Sequence, residues 1–177
     1  MKDNRGFTLI ELIVVMVIMG IVVIGSMTGY NMLNSGHVQS TAKRINAMLD
    51  YIQIENMTKN ENYFLLIKQN ADGYHLSVET LSQSGTVLVQ TDELLELRDG
   101  EITFQNSGTD TTEYLLNNSA PADGRPWNNT IEVCFDKVTG VSKVNRMGEK
   151  ISKIVVAASG RSYTIRLVVI TGKHYIE

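Results

Sequence analysis

No Asp, Glu, Lys or Arg occurs between Glu11 and Lys43, and this uncharged stretch constrains the fold more than any other feature of the 177-residue chain. Its centre, residues 12–25, is unbroken apolar sequence. Counted over residues 7–30, the segment would form about 36 Å of helix, against a bilayer hydrocarbon core of about 30 Å. The sequence therefore predicts a membrane-spanning helix over residues 7–30.

A six-residue polar leader, residues 1–6, precedes the apolar segment and carries Lys2 and Arg5. Basic residues beside a span favour the cytoplasmic side, so the N-terminus is expected inside and the rest of the chain outside. The apolar run is longer than that of a removable secretory signal, and no small-residue cleavage pattern follows it. We therefore expect a single-pass protein of the cytoplasmic (inner) membrane.

Glu11 lies inside this apolar segment and is not explained by anchoring alone. A carboxylate costs about 2.5 to 3.5 kcal/mol at the centre of a membrane helix and less near an end, so the surrounding Leu, Ile and Val residues outweigh it. An ionisable residue in such a place suggests a functional partner. A new amine made by cleavage between Gly6 and Phe7 would supply one, since Phe7 and Glu11 are four residues apart on one helix face.

Residues 5–12, with the sequence RGFTLIEL, resemble the cleavage and methylation motif of type IV pilins and pseudopilins. The resemblance implies that a prepilin peptidase/methyltransferase cuts after Gly6 and N-methylates Phe7. It also implies that Glu11 pairs with the terminal amine of a neighbouring subunit, the alternative being the amine of its own chain. The implied partners are other pilin or pseudopilin subunits, an inner-membrane assembly platform, and membrane lipid before assembly into an extracytoplasmic filament.

The helix is expected to continue as an amphipathic half over residues 31–59. Apolar residues recur there at steps of three and four, a spacing typical of one buried helix face. This stripe consists of Val38, Ala42, Ile45, Met48, Leu49 and Ile52. In the apolar half, Gly25 and Gly29 have the spacing that lets membrane helices pack closely, and they are candidate helix-packing residues.

Residues 60–177 are predicted to form an extracytoplasmic β-rich domain, which gives an α+β fold: a long N-terminal helix packed on a small antiparallel sheet or sandwich. Glycines spaced by 8 to 16 residues separate short β-rich segments. These segments are 63–68, 74–79, 86–90, 130–135, 153–158 and 163–170. Alternation in the fourth segment places Cys134 on its more polar face, as a structural residue or a reactive thiol. With no second cysteine for a disulfide, the arrangement resembles minor pseudopilins of the GspH/FimT kind.

The C-terminal quarter is basic, although the whole chain has a net charge of −3. Residues 1–136 have a net charge of −9 and residues 137–177 a net charge of +6. Either this quarter pairs with the acidic remainder or it forms an anion patch, whose candidate residues are Lys143, Lys150, Lys153, Arg161 and Arg166. Some FimT-type proteins bind DNA through such a stretch, so a DNA-binding minor pilin of a competence pilus is the alternative function.

No catalytic, metal or cofactor site is predicted. The three histidines are far apart in sequence, and no zinc, phosphate-loop or serine-hydrolase motif occurs. His75 is expected to be a solvated residue of its strand. The irregular segment 105–130 contains the only tryptophan, Trp127. Trp127 is expected either to anchor a binding partner or to close the core. The sequence therefore predicts a structural subunit rather than an enzyme.

Overall fold

The computed structural model describes residues 9–81, 85, 87–97, 99–108, 112–117, 129–146 and 148–177, without the side chains of 26–35. Gly6, Phe7 and Trp127 lie outside the described residues, so the predictions made for them stay predictions. Within the described part of the chain, no helix is both long and apolar enough to qualify as a membrane span.

One helix, α1, runs from Leu9 to Thr58. Glu11 lies in its first turn, where a carboxylate is favoured by the helix dipole. The predicted apolar stripe is confirmed, because five of its six members are fully buried and Met48 is partly buried against them. The helix ends one residue before the predicted end at residue 59, and its C-terminal half supplies one wall of the core.

In the described part of the chain, ten strands follow the helix and form two antiparallel five-stranded sheets. The first sheet has the order β3-β2-β1-β6-β7 and the second the order β10-β9-β8-β4-β5. The described residues therefore confirm an α+β architecture. The strands are β1 (Asn62–Asn70), β2 (Gly73–Leu81), β3 (Val87–Leu94), β4 (Gly100–Asn106), β5 (Glu113–Leu115), β6 (Thr130–Phe135), β7 (Ser142–Lys143), β8 (Ile151–Ala158), β9 (Arg161–Leu167) and β10 (His174–Ile176).

All six predicted segments contain strands, and most of their ends lie within two residues of the prediction; the two largest differences are at the C-terminal ends of β9 and β3. Strand β9 ends at Leu167 rather than at residue 170, because the amides of Thr171 and Gly172 turn back to the carbonyl of Val168. Strand β3 continues through Glu93, whose carboxylate accepts hydrogen bonds from Arg44 of the helix. The strands β4, β5, β7 and β10 were not predicted, and three of them have only two or three residues.

The more polar face of β6, on which Cys134 was predicted to lie, is covered rather than open to solvent. Cys134 is 5% exposed and packs with Phe64 and Leu66 in a small second cluster on the outer face of the first sheet. The chain after β7 covers this face, since the Cys134 thiol contacts the carbonyl of Val144 and the Arg146 guanidinium lies over the Phe64 ring. Strand β6 is therefore buried on both faces, although its sequence alternates like a half-exposed strand.

Candidate assembly site

The N-terminal half of α1 is an uncovered apolar surface. Every large apolar side chain from Leu9 to Ile24 is between 50% and 79% exposed. Soluble monomers rarely leave contiguous apolar surfaces of this extent open to water. This half of the helix is therefore the surface of the chain that most requires a partner.

Glu11 is the acidic residue of this apolar half, and it lies on the same helix as the exposed side chains. Gly25 also lies on the exposed part of the helix, and a Cβ built there would meet no atom within 4 Å. Among the described residues, no other element packs against Gly25, and its predicted role as a helix-packing residue requires a second helix. The side-chain surroundings of Gly29 lie outside the described residues, so its packing role stays a prediction.

The C-terminal half of α1 is fixed to the domain through Gln53. Its side-chain amide donates hydrogen bonds to the carbonyls of Gly140, at 2.7 Å, and Gly172, at 3.2 Å. These carbonyls belong to two different turns, one between β6 and β7 and one between β9 and β10. We call this arrangement the helix joint, and it sets the direction in which the exposed half projects from the domain.

A second contact at the helix joint involves His174, whose side chain is 2% exposed. Its Nε2 atom lies 2.9 Å from Oδ1 of Asp50, at an angle that does not make a hydrogen bond. Its Nδ1 atom lies 3.2 Å from the carbonyl oxygen of Gly172. The ring also packs against Phe135, with 5.9 Å between centroids. His174 therefore fills the space between helix, turn and sheet.

The outer face of the first sheet carries an ion cluster that sequence reasoning missed. Arg146 lies 2.9 Å from a carboxylate oxygen of Glu79 and 2.5 Å from one of Glu132. Lys68 also contacts Glu79, at 2.8 Å, and the Arg146 guanidinium stacks over the ring of Phe64. Burial alone would raise the pKa of Glu79, but hydrogen bonds from Lys68 and Arg146 outweigh it and hold the pKa below its ordinary value. The cluster fastens the chain after β7 to the sheet.

The predicted anion-patch residues are divided between the two sheets. Lys153 and Arg166 are cross-strand neighbours in the second sheet, whereas Lys143 lies on β7 of the first. Arg161 lies at the β8–β9 turn, beside a groove that also contains Asp99 and Glu101.

Two of these basic residues already have acidic partners. Lys153 pairs with Glu113, and Arg166 pairs with Glu177 at 3.3 Å. Lys150 precedes β8, away from the β8–β9 turn. Lys153 thus pairs with the acidic remainder of the chain, whereas the partner of Arg166 belongs to the basic quarter itself.

His75 is less solvated than expected, with a side chain that is 16% exposed. Its ring nitrogens lie 3.1 Å from a carboxylate oxygen of Asp72 and 3.2 Å from one of Asp92. Burial lowers the pKa of His75, but the hydrogen bonds that its ring donates to the two carboxylates outweigh it and raise the pKa overall. Among the described residues, no group of three or more His, Cys, Asp or Glu side chains is arranged to hold a metal ion.

Residues 1–27 match the family model described as the prokaryotic N-terminal methylation motif. The chain has a prepilin-type N-terminus. The match includes the Gly6–Phe7 junction, Glu11 and most of the apolar half of the helix. No curated protein and no solved structure gives a significant match. Because the motif ends at residue 27, it carries no information on the β-domain.

Proposed function

We propose that this chain is a prepilin-like structural subunit, a minor pilin or pseudopilin of the GspH/FimT kind. It is cut after Gly6, N-methylated at Phe7 and built into a type IV pilus or a type II secretion-like filament. The observation that carries the proposal is the division of one helix into two halves. The half bearing the methylation motif is apolar and exposed, and the other half is buried in the domain.

The exposed half requires two successive environments in this proposal. Burial of apolar surface is favourable by roughly 25 cal/mol per Å², so lipid covers the half-helix before assembly and neighbouring half-helices cover it afterwards. The helix joint at Gln53 keeps the domain attached to the half-helix in one orientation during this transfer. A rigid connection lets subunits repeat with the same geometry along a filament.

Glu11 has a specific role in the proposal. Among packed apolar helices a carboxylate is stabilised by a nearby cation. The amine of Phe7, created by cleavage, is the proposed partner, and it belongs to a neighbouring subunit. Glu11 thereby admits only subunits that have been cut.

The first test is peptide mass spectrometry on the chain recovered from the membranes of its own host. We expect a terminal peptide that begins at Phe7 and carries one methyl group. Gly6→Val should leave the chain starting at Met1, because a side chain at this position blocks close approach of the peptidase. Gly36→Ala is the matched control, since a Cβ there meets no atom within 4 Å. A wild-type chain that still starts at Met1 would overturn the proposal.

The second test separates assembly from anchoring. Glu11→Ala should leave the chain cut and in the membrane but absent from sheared or purified filaments. Glu61→Ala removes an exposed carboxylate beyond the helix and should assemble normally. If Glu11→Ala chains enter filaments as well as Glu61→Ala chains, the helix is a plain lipid anchor and the assembly role of Glu11 is wrong.

A further inference from the structure

Two turns beside the C-terminal end of α1 each present one apolar side chain to solvent. Val138, in the β6–β7 turn, is 86% exposed, and Ile170, in the β9–β10 turn, is 84% exposed. These are the highest values among the large apolar side chains that the structure describes. Apolar side chains held at turn tips in this way are typical of contact surfaces.

The two turns are held together with the end of the helix. Gln53 bonds both turns, Gly172 packs against Gly140, and Gly140 packs against the thioether of Met57. Met57 and Ile54, one helical turn earlier, are themselves 51% and 60% exposed. We call Val138, Ile170, Ile54 and Met57 the helix-end patch. Because the helix joint fixes its parts, this patch needs little ordering to bind a partner.

The bilayer that would hold the apolar half-helix does not reach this patch. Ile24 and Ile54 are thirty residues apart on one continuous helix, which corresponds to about 45 Å. On the proposed function, lipid covers residues up to about 30, so the helix-end patch stands far outside the membrane. Its partner is therefore a protein surface.

A complementary surface occurs on the same chain, at the edge strand β3. Val87, Leu88 and Val89 are 44%, 51% and 60% exposed, and we call them the β3 patch. Strand β3 has eight residues, whereas the other described edge strands have two or three. Edge strands are usually short or protected by Lys or Pro, and a long apolar edge invites another chain.

The charges beside the two patches are opposite. Lys137 precedes Val138, and Lys173 follows Gly172 in the other turn. Among the described residues, no carboxylate forms an ion pair with either lysine, and Lys137 bonds the neutral carbonyl of Asn60 instead. Beside the β3 patch, Asp92 and Glu93 keep 56% and 43% of their side-chain surface exposed while pairing within the chain.

We propose that the helix-end patch of one subunit docks on the β3 patch of a second copy of this chain. The contact joins two different surfaces, so it is head-to-tail and extends into an open row of subunits instead of closing as a dimer. Apolar contact supplies attraction, and the lysines facing Asp92 and Glu93 fix the orientation. This inference rests on the proposed function, because a row of copies requires the chain to be present in the filament more than once.

Cross-linking between cysteine variants of the full-length chain tests the contact. Val138→Cys and Val89→Cys chains, carrying different tags, are co-expressed in the native host, and membranes are treated with a short bismaleimide. We expect a mixed-tag dimer when both variants are present and little dimer when either is expressed alone. Leu115→Cys is the matched control for Val89→Cys, since Leu115 is 45% exposed on the edge strand β5 of the other sheet.

Charge reversal supplies an independent measurement. Lys173→Glu in the Val138→Cys chain should lower the mixed-dimer yield several-fold, and Asp92→Lys in the Val89→Cys chain should restore it. Three results would each overturn the inference. The mixed-tag dimer could form no more often with Val89→Cys than with Leu115→Cys, or Val138→Cys alone could give as much dimer as the mixture. The third is a mixed-dimer yield that does not change after charge reversal. If any of these results is obtained with chains that begin at Phe7 and enter filaments, the docking contact is wrong while the proposed function stands. A chain still starting at Met1 overturns the proposed function, and cross-linking of that uncut chain still decides the contact.

Discussion

Gly172 packs against the backbone of Gly140 so closely that a Cβ built on Gly172 would overlap the Gly140 carbonyl oxygen. Both glycines have positive φ, +70° for Gly172 and +66° for Gly140, in the region that favours glycine. The same two residues accept the hydrogen bonds of Gln53. The helix joint therefore depends on two positions, distant in sequence, that have no side chain.

Gly172→Ala should destabilise the folded chain by about 2 to 4 kcal/mol. A left-handed backbone costs an L-residue about 1 to 2 kcal/mol, and overlap with a backbone oxygen forces one of the turns to move. The measurement is urea unfolding of the full-length protein in detergent, followed by the near-ultraviolet signal of its tyrosines.

Gly160→Ala is the matched control for this prediction. Gly160 has a similar φ of +77°, but a Cβ there meets no atom within 4 Å. Gly160→Ala should therefore lower the free energy of unfolding only by the cost of a left-handed backbone, about 1 to 2 kcal/mol. Equal destabilisation by both substitutions would mean that the contact between Gly172 and Gly140 contributes nothing.

The helix joint also indicates why some features were predictable and others were not. The buried stripe containing Ile45 and Ile52 follows from local periodicity, because steps of three and four fix which residues share a helix face. Gln53 contacts residues 87 and 119 positions away in the sequence. Turn glycines indicate that the chain reverses, but their spacing does not indicate which turns meet.

The candidate site also combines features that a contiguous sequence predicts with contacts between residues that are distant in the sequence. The place of Glu11 on an apolar half-helix could be predicted from the sequence because the apolar segment is contiguous. The ion cluster was missed because Arg146 and Glu79 are 67 positions apart, and a charged residue in a strand is normally assigned to solvent. Only the covering of the outer sheet face by the chain after β7 turns Glu132 into a buried residue, 1% exposed.

Arg146→Met should destabilise the domain by about 3 to 5 kcal/mol. The substitution leaves Glu132 buried without its guanidinium partner, and breaking a buried ion pair from one side has about this cost. Equilibrium unfolding in urea measures the change.

Removal of the Glu132 charge together with Arg146 should restore part of the stability lost in Arg146→Met. Glu132→Gln combined with Arg146→Met leaves no unpaired buried charge, so we expect the double variant to be more stable than Arg146→Met alone. Arg161→Met, at an exposed turn, should change stability by no more than about 0.5 kcal/mol. A double variant that is less stable than Arg146→Met would show that the Glu132 carboxylate stabilises the segment without the guanidinium, for example through the hydrogen bond that it accepts from the Arg146 backbone amide.

The free energy of unfolding should respond to the protonation of His75. Because its folded pKa is raised, the protonated ring adds stability that is complete below its unfolded pKa of about 6.5. That stability is lost as the pH rises through the folded pKa. The difference in unfolding free energy between wild type and His75→Gln should therefore be larger at pH 5.5 than at pH 8.5. Asp92→Asn removes one of the two carboxylates and should reduce this pH dependence. If the difference in unfolding free energy between wild type and His75→Gln grows as the pH rises, the stabilising role of protonated His75 is wrong.

The single cysteine should be almost unreactive while the domain is folded. Burial, followed by the nearby Glu132 charge, raises the pKa of the Cys134 thiol to about 11. Relative to the reference thiol value of 9.0, the thiolate is roughly 100-fold scarcer at neutral pH, and burial blocks approach of the reagent further. We expect iodoacetamide to label native Cys134 at least about 100-fold more slowly than the urea-unfolded chain. Leu115→Cys in a Cys134→Ser background, at an exposed edge, should label at nearly the unfolded rate. Comparable rates for native Cys134 and the exposed control would mean that the chain after β7 does not keep this face of the sheet covered.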